Sequence, residues 1–307
     1  MGKEKTKAEN LNDKQILGMP PVCFWVIFGI LILGIIIGSF CDFDISESIS
    51  NETSIGDWFY HYSNIFSGLI YPIGGVCIFT GLKNKGEKFH KLAYFCLFIA
   101  EFYSVHYLND ASGKYVRKDL GYKAEEGSSV MLVFLAYLIL TALVVAVSFV
   151  TYILLDRTKT DTLLAIGLVI IISGIISMSV NDWLKYFACR PRYRYLITLD
   201  DPISEFKNWW EMSPYLVDES NFKSWPSGHM TRSVMMLTLP MIVDGLKCRK
   251  RAVKYVLFSV AVLFIILLGY NRIHTNAHFL TDVCFGSLFA LSIYGLTYKL
   301  VFSSVKH

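Results

Sequence analysis

Apolar residues occur along this chain in long unbroken runs, not in the alternating or every-third-and-fourth patterns of soluble strands and helices. A helix that crosses a bilayer needs about 20 mostly apolar residues. Eight stretches reach or approach that length: about 21–40, 64–82, 92–108, 130–155, 162–182, 228–246, 255–271 and 278–302. The third is short and carries Glu101 and His106, which are expected to face the bundle interior as a structural pair. No internal repeat, low-complexity tract or linker interrupts the series. The pattern predicts an all-α, polytopic membrane helix bundle of about eight transmembrane helices, integrated as one domain.

The polar connections orient the bundle. Lys3, Lys5, Lys7 and Lys14 lie in the tail of residues 1–20. Lys83, Lys85, Lys88 and Lys91 fill the second connection, Arg157 and Lys159 the fourth, and Lys247, Arg249, Lys250, Arg251 and Lys254 the sixth. The loop 41–63 has Asp42, Asp44, Glu47, Glu52 and Asp57 and no Lys or Arg. The positive-inside rule therefore places both termini in the cytoplasm, in agreement with an even helix count. The tail is too long and too acidic for a signal peptide, and no cleavage site follows the first run, so that run reads as a retained helix. Residues 183–227 then lie outside, with Trp209, Trp210 and Trp225 suited to the headgroup level.

Composition supports a membrane protein: 54% of residues are hydrophobic and 18% charged, more apolar surface than a soluble core absorbs. A net charge of +4 is too small to point to nucleic acid. The seven cysteines are scattered without metal-ligand or disulfide spacing, and read as small buried hydrophobes. Met1-Gly2 with Thr6 fits a myristoylation pattern and Asn51-Glu52-Thr53 a glycosylation acceptor; both are minor signals.

Against this apolar background, three segments concentrate polar residues. Lys185, Arg190, Arg192 and Arg194 follow the fifth run; Ser224 to His229 open the sixth; Asn271, Arg272, His274, His278 and Asp282 join the seventh to the eighth. Topology alone brings all three to one face of the membrane. A transferring phosphoryl group needs fixed cations around its equatorial oxygens, which Lys185, Arg192 and Arg272 can supply. Ser227 and Gly228 sit where a helix begins and its free N–H groups favour an anion. His278 and Asp282, four apart, share a helical face, so the carboxylate can fix the imidazole tautomer and leave the other nitrogen free to attack phosphorus. His229 suits a general acid for the leaving alkoxide, its protonation coupled to a bound phosphate. His61, His90 and His274 are read as structural, and Arg190 and Arg194 as accessory candidates.

These residues resemble the signature of the type-2 phosphatidic acid phosphatase superfamily: K-x6-R-P, then P-S-G-H, then S-R-x5-H-x3-D. Lys185 to Arg192, Pro226 to His229, and Arg272, His278 and Asp282 fit the spacings. Tyr193 stands in place of the proline after Arg192, and Asn271 in place of the serine before Arg272. The resemblance covers the second half, so 161–307 is the expected phosphatase catalytic core and 21–160 additional transmembrane helices. It implies a phosphohistidine on His278, hydrolysed by water, with no metal or cofactor.

The expected function is hydrolysis of a lipid phosphate or diphosphate, with membrane lipids as the surroundings and the active site on the extracytoplasmic face. A phosphotransferase that passes the phosphoryl or headgroup to an organic acceptor is the main rival. A non-enzymatic transporter on the same bundle is disfavoured by the complete set of catalytic residues. Asp282 disfavours a glucose-6-phosphatase kind of enzyme, and composition disfavours a soluble haloperoxidase.

Overall fold

The computed structural model describes residues 15–50, 54–120, 130–211 and 220–304. The glycosylation and myristoylation patterns lie outside them. Among the described residues the regular structure is helical, apart from the isolated bridges Ile16–Met19 and Leu155–Leu246. The principal helices are α1 (Pro21–Ile49), α2 (Ser54–Gly68), α3 (Ile70–Asn84), α4 (His90–Leu108), α5 (Lys114–Asp119), α6 (Val130–Leu154) and α7 (Thr160–Ala188). They continue with α8 (Tyr193–Leu196), α9 (Gly228–Ser233), α10 (Leu239–Ile242), α11 (Arg251–His274) and α12 (Leu280–Ser304).

Among the described residues, six stretches are long and apolar enough to cross a membrane: Pro21–Ile49, Trp58–Asn84, Val130–Leu154, Thr160–Leu196, Arg251–His274 and Leu280–Ser304. Of the two other expected stretches, 92–108 lies within the unbroken α4. The stretch 228–246 is instead a chain of short pieces in which α9 and α10 alternate with 3-10 turns at Val234–Thr238 and Val243–Gly245. Two local causes explain the tightening. Pro240 brings no N–H to the helical ladder, and the hydroxyls of Ser233 and Thr238 bond back to the carbonyls of Met230 at 2.9 Å and Met235 at 2.7 Å.

α1, α6 and α11 turn most of their apolar surface outward, whereas Trp58–Asn84, α7 and α12 are largely enclosed. Phe40, Phe102, Val130 and Phe149 are among the large apolar side chains left uncovered. Each would forgo about 1.5–3 kcal/mol in water, a cost that lipid removes. At the centre α3 packs on α7 and α7 on α12; α1 lies along α12, and α9 is wedged among α2, α7, α11 and α12.

Three expectations change. α1 does not end near residue 40 but runs to Ile49, which carries Asp42 into the packed interior at 3% exposure. Glu101 accepts a hydrogen bond from Ser148 on α6 at 2.5 Å, whereas His106 is exposed. Five residues apart on a helix, the two side chains diverge by about 140° and form no pair. All seven cysteines are unpaired, but Cys41 and Cys248 are exposed.

Candidate active site

The C-terminal ends of α7 and α11 meet the N-terminal ends of α9 and α12. Lys185 sits in the last turn of α7, after which Cys189 takes a left-handed conformation (φ 44°) and turns the chain. The next two arginines part company. Arg190 goes inward and is 1% exposed. Its Nη1 donates to Asp282 Oδ1 at 2.6 Å and Thr281 Oγ1 at 2.8 Å, its Nη2 to Asp42 Oδ2 at 2.9 Å and its Nε to the Lys207 carbonyl at 2.8 Å. Arg192 is pinned by its backbone N–H to the Asn221 carbonyl at 2.8 Å. Its Nη2 reaches the Lys223 carbonyl at 3.4 Å, and its buried Nε has no hydrogen-bond partner among the described residues.

Ser224, two residues before Pro226, ties the three segments together. Its N–H donates to the Arg190 carbonyl at 3.1 Å, its hydroxyl to Asp282 Oδ2 at 2.5 Å, and its carbonyl lies 2.7 Å from His278 Nδ1. Ser227 N–H donates to the Asp282 carbonyl at 3.0 Å. The contact between α12 and this strip is backbone to backbone: a Cβ on Gly286 would stand 2.6 Å from the Ser227 carbonyl oxygen. A Cβ on Gly228 would stand 2.9 Å from Lys185 Nζ, so the missing side chain is what lets the ammonium approach. Ser227 makes no side-chain cap, and its buried Oγ finds no partner among the described residues. The helix it opens, α9, is only six residues long.

The third segment turns through Asn276, left-handed at φ 56°, a conformation asparagine tolerates. The N–H groups of Ala277 and His278 fold back onto the Arg272 carbonyl at 3.2 and 3.1 Å. Arg272 is 1% exposed, and its Nε and Nη1 have no hydrogen-bond partner among the described residues. Its guanidinium lies 4.2 Å from the centre of the Tyr60 ring, and Tyr60 in turn lies 5.3 Å from the His229 ring. Arg272, Arg232 and Lys185 all lie close enough to His229 for their charges to act on it. Arg194, held by its N–H on the Asn276 carbonyl at 2.9 Å, adds positive charge near Arg192 and Arg272.

His278 does not share a helical face with Asp282, because α12 begins only at Leu280. Asp282 is in that helix's first turn, and its Oδ2 reaches back to the N–H of Phe279 at 2.9 Å, as an acidic side chain does in a capping box. His278 Nδ1 stands 3.7 Å from Asp282 Oδ2, too far for a hydrogen bond. The Ser224 carbonyl is the close partner, and a carbonyl only accepts. Nδ1 therefore carries the proton, and Nε2 keeps its lone pair. Burial pushes the imidazole down to about 3, with Arg192 and Arg272 acting the same way and Asp282 opposing them. His278 is thus neutral at neutral pH.

Lys185, Arg192, Arg272, His229, His278, Ser227, Gly228 and Asp282 are all brought to one region. Arg190 is drawn there too, but its named donors are spent on Asp282, Thr281, Asp42 and Lys207. His61 stacks on Tyr115 with centroids 3.7 Å apart, His90 meets the Lys83 carbonyl at 3.1 Å and His274 the Ile49 carbonyl at 2.9 Å. Asp42, Tyr60, Thr281 and Arg232 also belong to the site's surroundings, with no site role expected from the sequence, and for Ser224, named in the second polar segment, the sequence predicts no role of its own. Arg232 follows His229 by nearly one helical turn, and its guanidinium lies 5.2 Å from the Tyr107 ring centre. Ser224, Arg232 and Thr281 had a usable signal, the first two lying near the P-S-G-H run and the third inside the third segment beside Asp282. Asp42 and Tyr60 lie far away in sequence and look like ordinary loop and helix residues.

No curated protein and no solved structure is detectably similar to the chain. Residues 162–306, the second half, which supplies every motif residue of the site, match the PAP2 superfamily, and that half of the chain belongs to it.

Proposed function

We propose that this membrane protein hydrolyses the phosphate ester of a lipid through a phosphohistidine on His278. The observation that carries the reading is the pairing of a neutral His278, its Nδ1–H held by Ser224, with a buried Arg272 guanidinium whose Nε and Nη1 have no hydrogen-bond partner among the described residues. A cation enclosed without a carboxylate partner is costly, and a phosphoryl group would offset the cost for Arg272, Arg192 and Lys185 together.

In the first step the negative charge of the bound phosphate ester draws a proton onto His229. The Nε2 lone pair of His278 attacks phosphorus, the bond from phosphorus to the ester oxygen breaks, and the departing alkoxide takes that proton. The phosphorylated ring then bears a positive charge, facing the Ser224 carbonyl and Asp282. In the second step water attacks phosphorus, the P–N bond breaks, and His229 takes the water's proton. Inorganic phosphate leaves and both histidines are restored. Bidentate contact by Arg192 and Arg272 fixes the equatorial oxygens, and Lys185 adds a point charge beside Gly228.

Three features support a lipid substrate on the extracytoplasmic side. The site is built at the ends of apolar helices. Trp209 packs against Trp225 and Phe285 at the same end and donates to Ser39 Oγ on α1 at 2.9 Å, as an interfacial aromatic would. The basic connections belong to the opposite side by the positive-inside rule. Purified protein in detergent should release phosphate from dioctanoyl phosphatidic acid without added metal, and His278→Ala should abolish release. Undiminished release by that variant would refute the mechanism. Label recovered on an organic acceptor instead of in free phosphate would show a transferase.

A further inference from the structure

Asp42 belongs to α1, outside the half that matches the superfamily, yet it reaches the catalytic carboxylate through a single residue. Its Oδ2 accepts from Arg190 Nη2 at 2.9 Å, and Arg190 Nη1 donates to Asp282 Oδ1 at 2.6 Å. Asp42 Oδ1 also accepts the backbone N–H of Thr281 at 3.0 Å, and the Thr281 hydroxyl donates to Asp42 Oδ2. α1 thereby caps the first turn of α12, the turn on which Asp282 sits. All three charged groups are at most 3% exposed. Their surroundings are closed: Phe279 lies 4.3 Å and Phe206 5.4 Å from the Arg190 guanidinium.

Two carboxylates share one guanidinium, so the cluster carries a net charge of minus one. Asp282 Oδ2 holds Ser224 through its hydroxyl, and the Ser224 carbonyl holds His278 Nδ1–H. A continuous path of ion pairs and hydrogen bonds thus runs from α1 to the nucleophile. Resting on the phosphohistidine reading, we propose that Asp42 and Arg190 are positioning residues: through the Asp42–Arg190–Asp282 cluster, α1 sets the orientation of His278 and supplies the negative charge that its ring faces once phosphorylated. Arg190 has no named donor left for phosphate in this role, despite its place beside the motif.

Charge arithmetic separates this role from simple support. Asp42→Asn leaves the cluster neutral and weakens its hold on a positively charged ring. Arg190→Gln leaves two uncompensated carboxylates, which favour protonation of His278 and so remove the nucleophile as pH falls. The other charged groups that face His278 are Arg192 after α7, His229 on α9 and Arg272 on α11, and all stay in place in both variants.

The test is the affinity of the purified full chain for micromolar orthovanadate, a tetrahedral phosphate analogue that becomes five-coordinate when a nucleophile adds to it, measured against pH by calorimetry. Wild type should bind with no acid limb above about pH 5, and His278→Ala should not bind. Asp42→Asn should bind about tenfold more weakly, with Asp42→Glu recovering part of the loss. Arg190→Gln should show binding lost as pH falls through about 6, with Arg190→Lys restoring the flat profile. Asp44→Asn, exposed on the same helix, should change neither. Folding is checked by size exclusion. Should the charge variants not fold, Thr281→Val, which removes the shared hydroxyl but no charge, should weaken binding about threefold. Wild-type affinity and a flat profile in folded Asp42→Asn and Arg190→Gln, or in Thr281→Val where those do not fold, would overturn the proposal. If His278→Ala binds vanadate as well as wild type, the phosphohistidine reading itself fails, and this proposal falls with it.

Discussion

A guanidinium enclosed by protein costs several kcal/mol unless its donors are met, and the two most buried arginines of this chain meet that cost differently. Arg190 is 1% exposed and its named donors are all engaged, two of its partners being carboxylates. Arg272 is equally buried, but two of its nitrogens are unpartnered among the described residues, with the Tyr60 ring as the neighbour that stabilises it. Arg272→Met should therefore leave the melting temperature unchanged or higher while kcat/KM falls by at least about 100-fold. A thermal melt and a phosphate-release assay decide it, and a lower melting temperature would show that Arg272 is stabilised without ligand. His278 adds a pH prediction. Its folded-state value, about 3, lies below the ordinary 6.5, so between those values the unfolded chain binds more protons. Stability from this group is fully present above about pH 6.5 and is lost as pH falls toward 3. His278→Gln should flatten the fall in melting temperature between about pH 6.5 and 4 relative to wild type.

At the scale of elements, the site depends on two close approaches that differ in kind. Gly286 meets the backbone of Ser227, which cannot move without disturbing the P-S-G-H strip, whereas Gly228 meets the flexible tip of Lys185. Gly286→Ala should therefore cost about 1–3 kcal/mol of stability as well as activity. Gly228→Ala should leave the melting temperature nearly unchanged and lower activity by displacing the ammonium. Equal losses of stability in both variants would contradict the contrast. His278 and Asp282 lie four residues apart but on no common helical face. A spacing of four residues implies a shared face only inside a helix, and here the helix starts between the two, capped by Phe279 N–H on Asp282 itself. Nothing in the local sequence distinguishes that start from one two residues earlier. Likewise the buried stretch 228–246 is apolar enough to predict one span, because hydropathy records apolar content and not the 3-10 tightening imposed by Pro240 and the back-bonded hydroxyls.

At the scale of the molecule, the half that matches the superfamily does not close its own site. α1 brings Asp42 to Arg190 and α12, while α2 brings Tyr60 beneath Arg272. Residues 161–307 expressed alone should thus insert into membranes yet show at least about 100-fold less phosphate release than the full chain, and coexpression of residues 1–160 should recover part of it. Full activity of the fragment alone would show that the first helices are dispensable. By itself the sequence determined the helical membrane class and the convergence of Lys185, Arg192, His229, Arg272, His278 and Asp282. Both follow from strong local signals, apolar runs long enough for a bilayer and polar residues too costly to be placed there without use. The tertiary structure alone decided which arginine is spent on carboxylates, that the Ser224 carbonyl holds His278 Nδ1, and that α1 reaches Asp282 through Arg190. Those are contacts between residues as much as 239 positions apart. Local pattern cannot report them, because distance along the chain carries no record of distance in space.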